Sequence, residues 1–313
     1  MRTVGLAYRD NDRMPVIAII QEMARRHYDI DVRVIQIVPT KEYEDALFVD
    51  QADLIVEHLE YYFGQRTGER PVTMFAAPIV EAELALVVRP EVQSAEDLVG
   101  GTFAVRTHGR FHTVLMRIRA MGLEGRVQHV MTPDDDVGRW GQWRRVVSGE
   151  CVAAFVSPLY LPAALEAGLK VLPTQPLPQV ELYAHLCLTS FAQANDQLMT
   201  DYMKALVHAG ALMRCQREAS LAIANGEARR LITEERGLPP SDEAEWQRWF
   251  DHIIKRVQIK PYPTLQAIAN SYEAAVAEYP EVAGRNPLAP WDLHWLKALD
   301  DSGWIGQLVA SLS

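Results

Sequence analysis

Cysteine is scarce. The three in 313 residues, Cys151, Cys187 and Cys215, are an odd number, lie far apart and show no C-x-x-C spacing. That excludes a disulfide framework and a cysteine-based zinc site, and the three are expected as reduced, buried thiols. Long apolar runs are also missing. No stretch approaches the ~18 uninterrupted apolar residues of a membrane helix, and the most apolar one, residues 74–80, is short and contains Pro78. The opening MRTVGLAYRDNDRMP has no basic head, apolar core and small-residue cleavage site, so no secretory leader is expected and the location reads as cytoplasmic. Basic charge is in the minority: 31 Lys+Arg against 41 Asp+Glu leave −10 and a pI near 5.4. A phosphate-backbone binder needs a concentrated basic face, so nucleic acid is excluded as a partner, and no membrane partner is expected. Neither a Gly-rich phosphate loop nor a G-x-S-x-G elbow occurs, which leaves nucleotide use and serine hydrolysis without support. No repeat with a period of ~20–50 residues is present.

What is present is apolar content of 49% spread over a length that suits two domains, each with its own core. The first stretch alternates strand-like and helix-like runs: residues 3–7, 15–26 with Pro15 in the first turn, 31–37, 41–47, 53–56, 72–77 and 84–88. Residues 94–97 read as a capped single turn, Gly100 and Gly101 as a turn, 102–106 as a strand and 110–121 as a helix stopped by Gly122. A second unit follows: a helix over 139–148, a strand over 151–156, a helix over 158–167 and a strand over 170–172. A Pro-rich connection then leads to a strand over 182–188. From residue 195 onward the texture is helical. This is α/β wiring with mixed, mainly parallel sheets and a helical C-terminal part. The chain is expected to enter a second lobe near residues 79–83 and return near 185–190, giving lobe I as 1–80 plus 190–313 and lobe II as 81–189.

Residues 94–105 (SAEDLVGGTFAV), 148–155 (SGECVAAF) and 167–172 (AGLKVL) resemble three phrases of the type II periplasmic-binding-protein-like fold. The branch is the one holding nitrate/sulfonate/taurine-type binding proteins and the thiamine-precursor synthases. One departure is Val152, where that branch usually carries an acidic residue at a strand-end or cleft contact. A narrower resemblance covers residues 53–72 (DLIVEHLEYYFGQRTGERPV), which is similar to cytosolic enzymes on this fold. His58, Arg66 and Gly68 match positions of the hydroxybiphenyl sulfinate desulfinase, and Glu57 a position of the dihydroxyphthalate decarboxylases. The first loop, however, has no cysteine nucleophile, and residues 77–81 (APIVE) replace the decarboxylases' Arg/His cluster.

Open α/β sheets bind ligands beyond the carboxyl ends of their strands, so the loops there should converge on one interdomain cleft. They bring Tyr8, Arg9 and Asn11 after the first strand and Glu57 and His58 after the third. In the second lobe they bring Arg106, Thr107, His108, Gly109, Arg110 and His112, then Ser157 and Tyr160. Thr107 or His108 can cap the helix whose first-turn N–H groups form an anion pocket, with Arg106 or Arg110 adding a bidentate contact. His108 and His112 stand four apart, but no third ligand sits at a matching offset, so no metal is expected, and no cofactor. Trp140 and Trp143 read as core or interlobe packing, and Trp291, Trp295 and Trp304 as anchors of the last helices.

The main expectation is a cofactor-independent cytosolic lyase of the decarboxylase or desulfinase kind, acting on a small, aromatic organic acid. Its catalytic set is His58 as proton donor, Glu57 setting its charge, and Arg66. The alternative is a substrate-binding protein of an ABC-type uptake system for a small organic anion. A third is a cytosolic sensor or a relative of the thiamine-precursor enzymes. A homodimer is compatible with the sequence, which does not fix the oligomeric state.

Overall fold

The computed structural model describes residues 1–313 except 10, 38–39, 58–59, 65–69, 83, 107–110, 133–140, 159, 181–183 and 237–241. The chain divides into two compact units, Met1–Val80 with Gln179–Ser313, and Glu81–Pro178.

In unit 1, β1 (Arg2–Tyr8), β2 (Ile30–Gln36), β3 (Leu54–Glu57), β4 (Val72–Ala76) and β12 (Ala184–Leu188) form a five-stranded sheet in the order β2-β1-β3-β12-β4. β1 is parallel to both β2 and β3, whereas β12 runs antiparallel to β3 and β4. Every residue of β4 and β12 is buried, as expected of strands covered on both faces. The helix Met14–His27 buries Ile17, Ile20 and Ala24 on one face, at helical spacing, with Pro15 at its start. It ends where Asp29 takes φ 54°, doing with an aspartate what glycine usually does. Helices fill the C-terminal part. The longest among the described residues, Asp196–Cys215, is buried around most of its circumference between Tyr202 and Met213, and Gly210 lets it approach the Gln258 backbone: a Cβ there would lie 2.8 Å from the Gln258 carbonyl oxygen. β4 is an edge strand, and its outer side is closed by residues 290–292, with Met74 N donating to Pro290 O at 2.8 Å and Asp292 N to Met74 O at 3.0 Å. Trp295 anchors this return, donating from Nε1 to Asp196 at 2.9 Å and packing edge-on to Phe75.

In unit 2, β6 (Ala85–Val88), β7 (Thr102–Arg106), β8 (Gln128–Thr132), β9 (Ala153–Val156) and β10 (Lys170–Leu172) form a sheet in the order β10-β6-β9-β7-β8. β7 is parallel to β8 and β9, and β6 antiparallel to β9 and β10. A short antiparallel pair, β5 (Glu81–Ala82) with β11 (Leu177–Pro178), stands apart. Phe103 stacks on Phe155 in the core, a pair in which each ring contributes about 1.5–3 kcal/mol by burial. Arg117 is buried on the helix Phe111–Ala120, donates to the carbonyls of Ala82 and Leu84, and lies 5.8 Å from the Phe155 ring centre.

Several local expectations are corrected. Residues 94–97 do not begin a Ser-capped helix. The Asp97 carboxylate reaches back to accept from the backbone N–H of Gln93 (2.8 Å) and Ser94 (2.9 Å), and the helical turn is Glu96–Leu98. Those backbone donors hold the Asp97 carboxyl below its ordinary range. β8 was unanticipated because it is an edge strand with four of its five residues not buried, so it shows no apolar alternation. Val152 stands at the amino ends of β7 and β9, its N–H donating to Thr102 O at 2.9 Å, and it fills the space against Gly101. It is therefore a packing residue there, remote from the carboxyl ends of those strands. Of the expected helix over 139–148, Trp143–Val147 is helical, and Trp140 lies outside the described residues. Cys151 and Cys187 are buried thiols, but Cys215 is half-exposed.

Candidate functional site

In unit 1 the carboxyl ends of β1, β2 and β3 lie on one edge of the sheet because the three strands are parallel. β1 ends at Tyr8, and the chain turns through Asn11–Arg13 into the helix Met14–His27. Tyr8 is buried, and its hydroxyl donates to Asn11 Oδ1 at 3.4 Å. The same oxygen accepts from Gln36 Nε2 at 3.0 Å, and Asn11 Nδ2 donates to Leu231 O at 3.4 Å. Asn11 is thus held from three sides, which fixes its amide orientation. Arg9 is half-buried and sits 5.9 Å from the Tyr43 ring centre, within cation–π range.

The residue that sequence reasoning missed is Arg13. Its relative exposure is 0%, and Nη1 donates to Tyr43 Oη at 3.4 Å. Tyr43 Oη in turn donates to the carbonyl oxygen of Val56, near the end of β3. The chain Arg13, Tyr43, Val56 therefore places a buried guanidinium next to the strand ends where this class of sheet receives ligands. A signal was available. Arg13 is the N-cap of its helix, where a side-chain acceptor is preferred, and it brings positive charge to the positive end of the dipole. A residue that is unfavourable on both local counts has its reason elsewhere in the fold.

Glu57 closes β3, opposite Ala184 of β12. His58 and Arg66, the other members of the expected catalytic set, lie outside the described residues, as does Gly68.

In unit 2 the parallel strands β7, β8 and β9 again present their carboxyl ends together. Arg106 ends β7, half-buried, in register with Thr132 at the end of β8. Thr132 is fully buried, and its Oγ1 has no hydrogen-bond partner among the described residues. Ser157 follows β9, and its carbonyl accepts from Tyr160 N at 2.9 Å, a turn leading into the helix Leu161–Glu166. His112 is half-buried in the first turn of the helix Phe111–Ala120. Thr107, His108, Gly109 and Arg110, on which the expected anion pocket depends, lie outside the described residues. Among the described residues no three His, Cys, Asp or Glu side chains group as metal ligands.

No family model and no curated protein matches the chain in sequence. Its fold matches many solved structures. The periplasmic aliphatic sulphonate binding protein SsuA of Escherichia coli superposes at a TM-score of 0.65 and 17% identity, over 93% of this chain and 91% of that one. The alkanesulfonate-binding protein SsuA of Xanthomonas axonopodis pv. citri, bound to MOPS, gives 0.58 and 12%, over 94% and 99%. An ABC transporter protein of Parabacteroides distasonis gives 0.60 and 14%, over 92% and 97%. The chain has the type II periplasmic-binding-protein-like fold, an α/β fold with two sheets of mixed strand direction and a helical C-terminal part.

These matches correct two expectations. The reading as a cytosolic lyase is overturned by these matches, which are sulfonate-binding and ABC-transport proteins. The fold is common to both classes, so a local resemblance on a strand-end loop could not decide between them. The cytoplasmic location is overturned as well: the Escherichia coli protein it resembles is periplasmic.

Proposed function

We propose that this chain is the ligand-binding component of an ABC-type import system, working outside the cytoplasmic membrane on a small organic anion of the sulfonate or carboxylate kind. The observation that carries the reading is the buried Arg13 guanidinium at the carboxyl edge of the unit 1 sheet, hydrogen-bonded to Tyr43. A fixed positive charge about 6 Å from an acidic group in a partly desolvated setting is worth roughly 3 kcal/mol at an effective dielectric of about 20, enough to favour anions over neutral solutes. In unit 1 the proposed contacts are Tyr8, Arg9 and Asn11. In unit 2 they are Arg106, Thr107, His108, Gly109, Arg110, His112, Ser157 and Tyr160, with Thr132 now added because its buried hydroxyl lacks a partner among the described residues. The similarity to sulfonate-binding proteins supports the ligand class, and the ABC transporter match supports a membrane permease as partner.

The test is native mass spectrometry of small molecules retained through purification, followed by thermal melts against alkanesulfonates, aromatic carboxylates and neutral or cationic analogues. A cognate anion at a hundred times its Kd should stabilise the protein by about 2.7 kcal/mol. Stabilisation by neutral or cationic compounds alone would defeat the proposal.

A further inference from the structure

The helix Met14–His27 packs on the helix Asp196–Cys215, and beside that contact unit 1 carries a groove of about 930 Å³. Met14, Met23, Leu212 and Ile223 contribute its apolar lining, and the imidazoles of His27 and His208 stand on it together. None of these residues belongs to the strand-end sets described above.

The two rings have centres 4.6 Å apart and planes tilted by 44°. A metal–nitrogen bond of about 2.0–2.1 Å puts an imidazole centre about 3.2 Å from the ion, so two rings on one ion at a right angle have centres about 4.5 Å apart. The observed separation matches that of two cis ligands. His208 is also oriented as a ligand imidazole usually is: Tyr28 Oη lies 3.1 Å from its Nδ1, which leaves Nε2 as the free nitrogen. His27 ends its helix and is exposed, so its ring can adjust.

We propose that His27 and His208 form a two-imidazole site for a borderline divalent transition ion, Cu(II) ahead of Zn(II), with water in the remaining positions. The order follows the general affinity series of nitrogen ligands. Glu22 and Asp31 also line the groove, but Glu22 is engaged by Arg25 and Arg26 and Asp31 by Arg33. No third protein ligand joins the pair among the described residues, so the site is open rather than a closed structural one.

Titration of the whole chain with Cu(II), followed by calorimetry and frozen-solution electron paramagnetic resonance, decides the matter. The expected result is one saturable Cu(II) with hyperfine structure from two imidazole nitrogens. His27→Ala should weaken it by more than about tenfold, the scale on which even outer-shell partners act, and Tyr28→Phe should weaken it less. His208→Gln should abolish it, but because His208 is buried, the exposed His27→Ala variant carries the decision. Absence of saturable binding, or unchanged binding in His27→Ala, overturns the proposal. Either outcome leaves the anion-binding reading untouched, since the two share no residue.

Discussion

Arg13 donates from Nη1 to the hydroxyl of Tyr43 at 3.4 Å, and neither side chain has any exposure to solvent. Tyr43 passes that contact on to the Val56 carbonyl. Tyr43→Phe therefore breaks two buried hydrogen bonds and should cost about 1–3 kcal/mol in urea unfolding. Arg13→Met should lower affinity for the cognate anion by at least about tenfold, or ~1.4 kcal/mol, measured by calorimetry. Unchanged affinity in a folded Arg13→Met variant would remove Arg13 from the binding account.

Thr132 separates stability from binding. Its hydroxyl is buried without a partner among the described residues, so replacing it by the near-isosteric valine should raise the stability of the ligand-free chain by about 1 kcal/mol. Anion affinity should fall in the same variant. If the ligand-free protein is instead destabilised, the hydroxyl has a partner within the fold and is no part of the site.

Acid sensitivity should come partly from His185. It is buried against Phe75 and Tyr202, whose hydroxyl lies 3.1 Å from His185 Nδ1. Burial lowers it from 6.5 to about 3. The unfolded chain thus binds a proton that the folded chain refuses between those values, so the contribution is fully present above about 6.5 and declines as pH falls toward about 3. The limiting slope is about 1.4 kcal/mol per pH unit. Urea midpoints between pH 7 and pH 4 should drop accordingly, and a His185→Gln variant should show a shallower dependence.

Gly210→Ala places a methyl carbon 2.8 Å from the Gln258 carbonyl oxygen, a backbone atom with little freedom to retreat. A loss of about 1–3 kcal/mol is expected from such overpacking, read as a lowered Tm. A neutral effect would mean that the segment around Gln258 gives way.

Thiol reactivity should follow exposure. Burial pushes Cys187 up to about 12 and raises Cys151, while Cys215 is half-exposed. Ellman's reagent on the native chain should modify Cys215 alone, and all three after unfolding. Rapid native labelling of Cys187 would contradict its buried placement.

Most strands were legible locally. β7 and β9 occur within the apolar runs at 102–106 and 151–156, because a buried strand advertises itself through neighbours in sequence. The edge strand β8 was not, since an element with one paired side and a half-exposed face needs no such pattern. The β5–β11 pair joins residues almost a hundred positions apart, and nothing in two-residue strands announces a partner at that distance. Among the proposed contacts, Tyr8, Asn11 and Arg106 were reached by combining strand ends with the binding rule for open sheets. The pairing of Arg13 with Tyr43 was not, because it exists only once two separate segments meet; the sequence offered only the local hint of an arginine at a helix start.

By itself, then, the order of residues determined the α/β alternation, the helical finish and the fold family, all consequences of apolar periodicity and short-range phrases. Tertiary structure alone decided that a helix-capping arginine is buried against a tyrosine thirty residues away, that Val152 packs against a glycine rather than facing a ligand, and that Asp97 caps backward. Each of these depends on the free energy of burying or pairing a polar or bulky group at one point in space, and that energy is set by distant neighbours that no local pattern encodes.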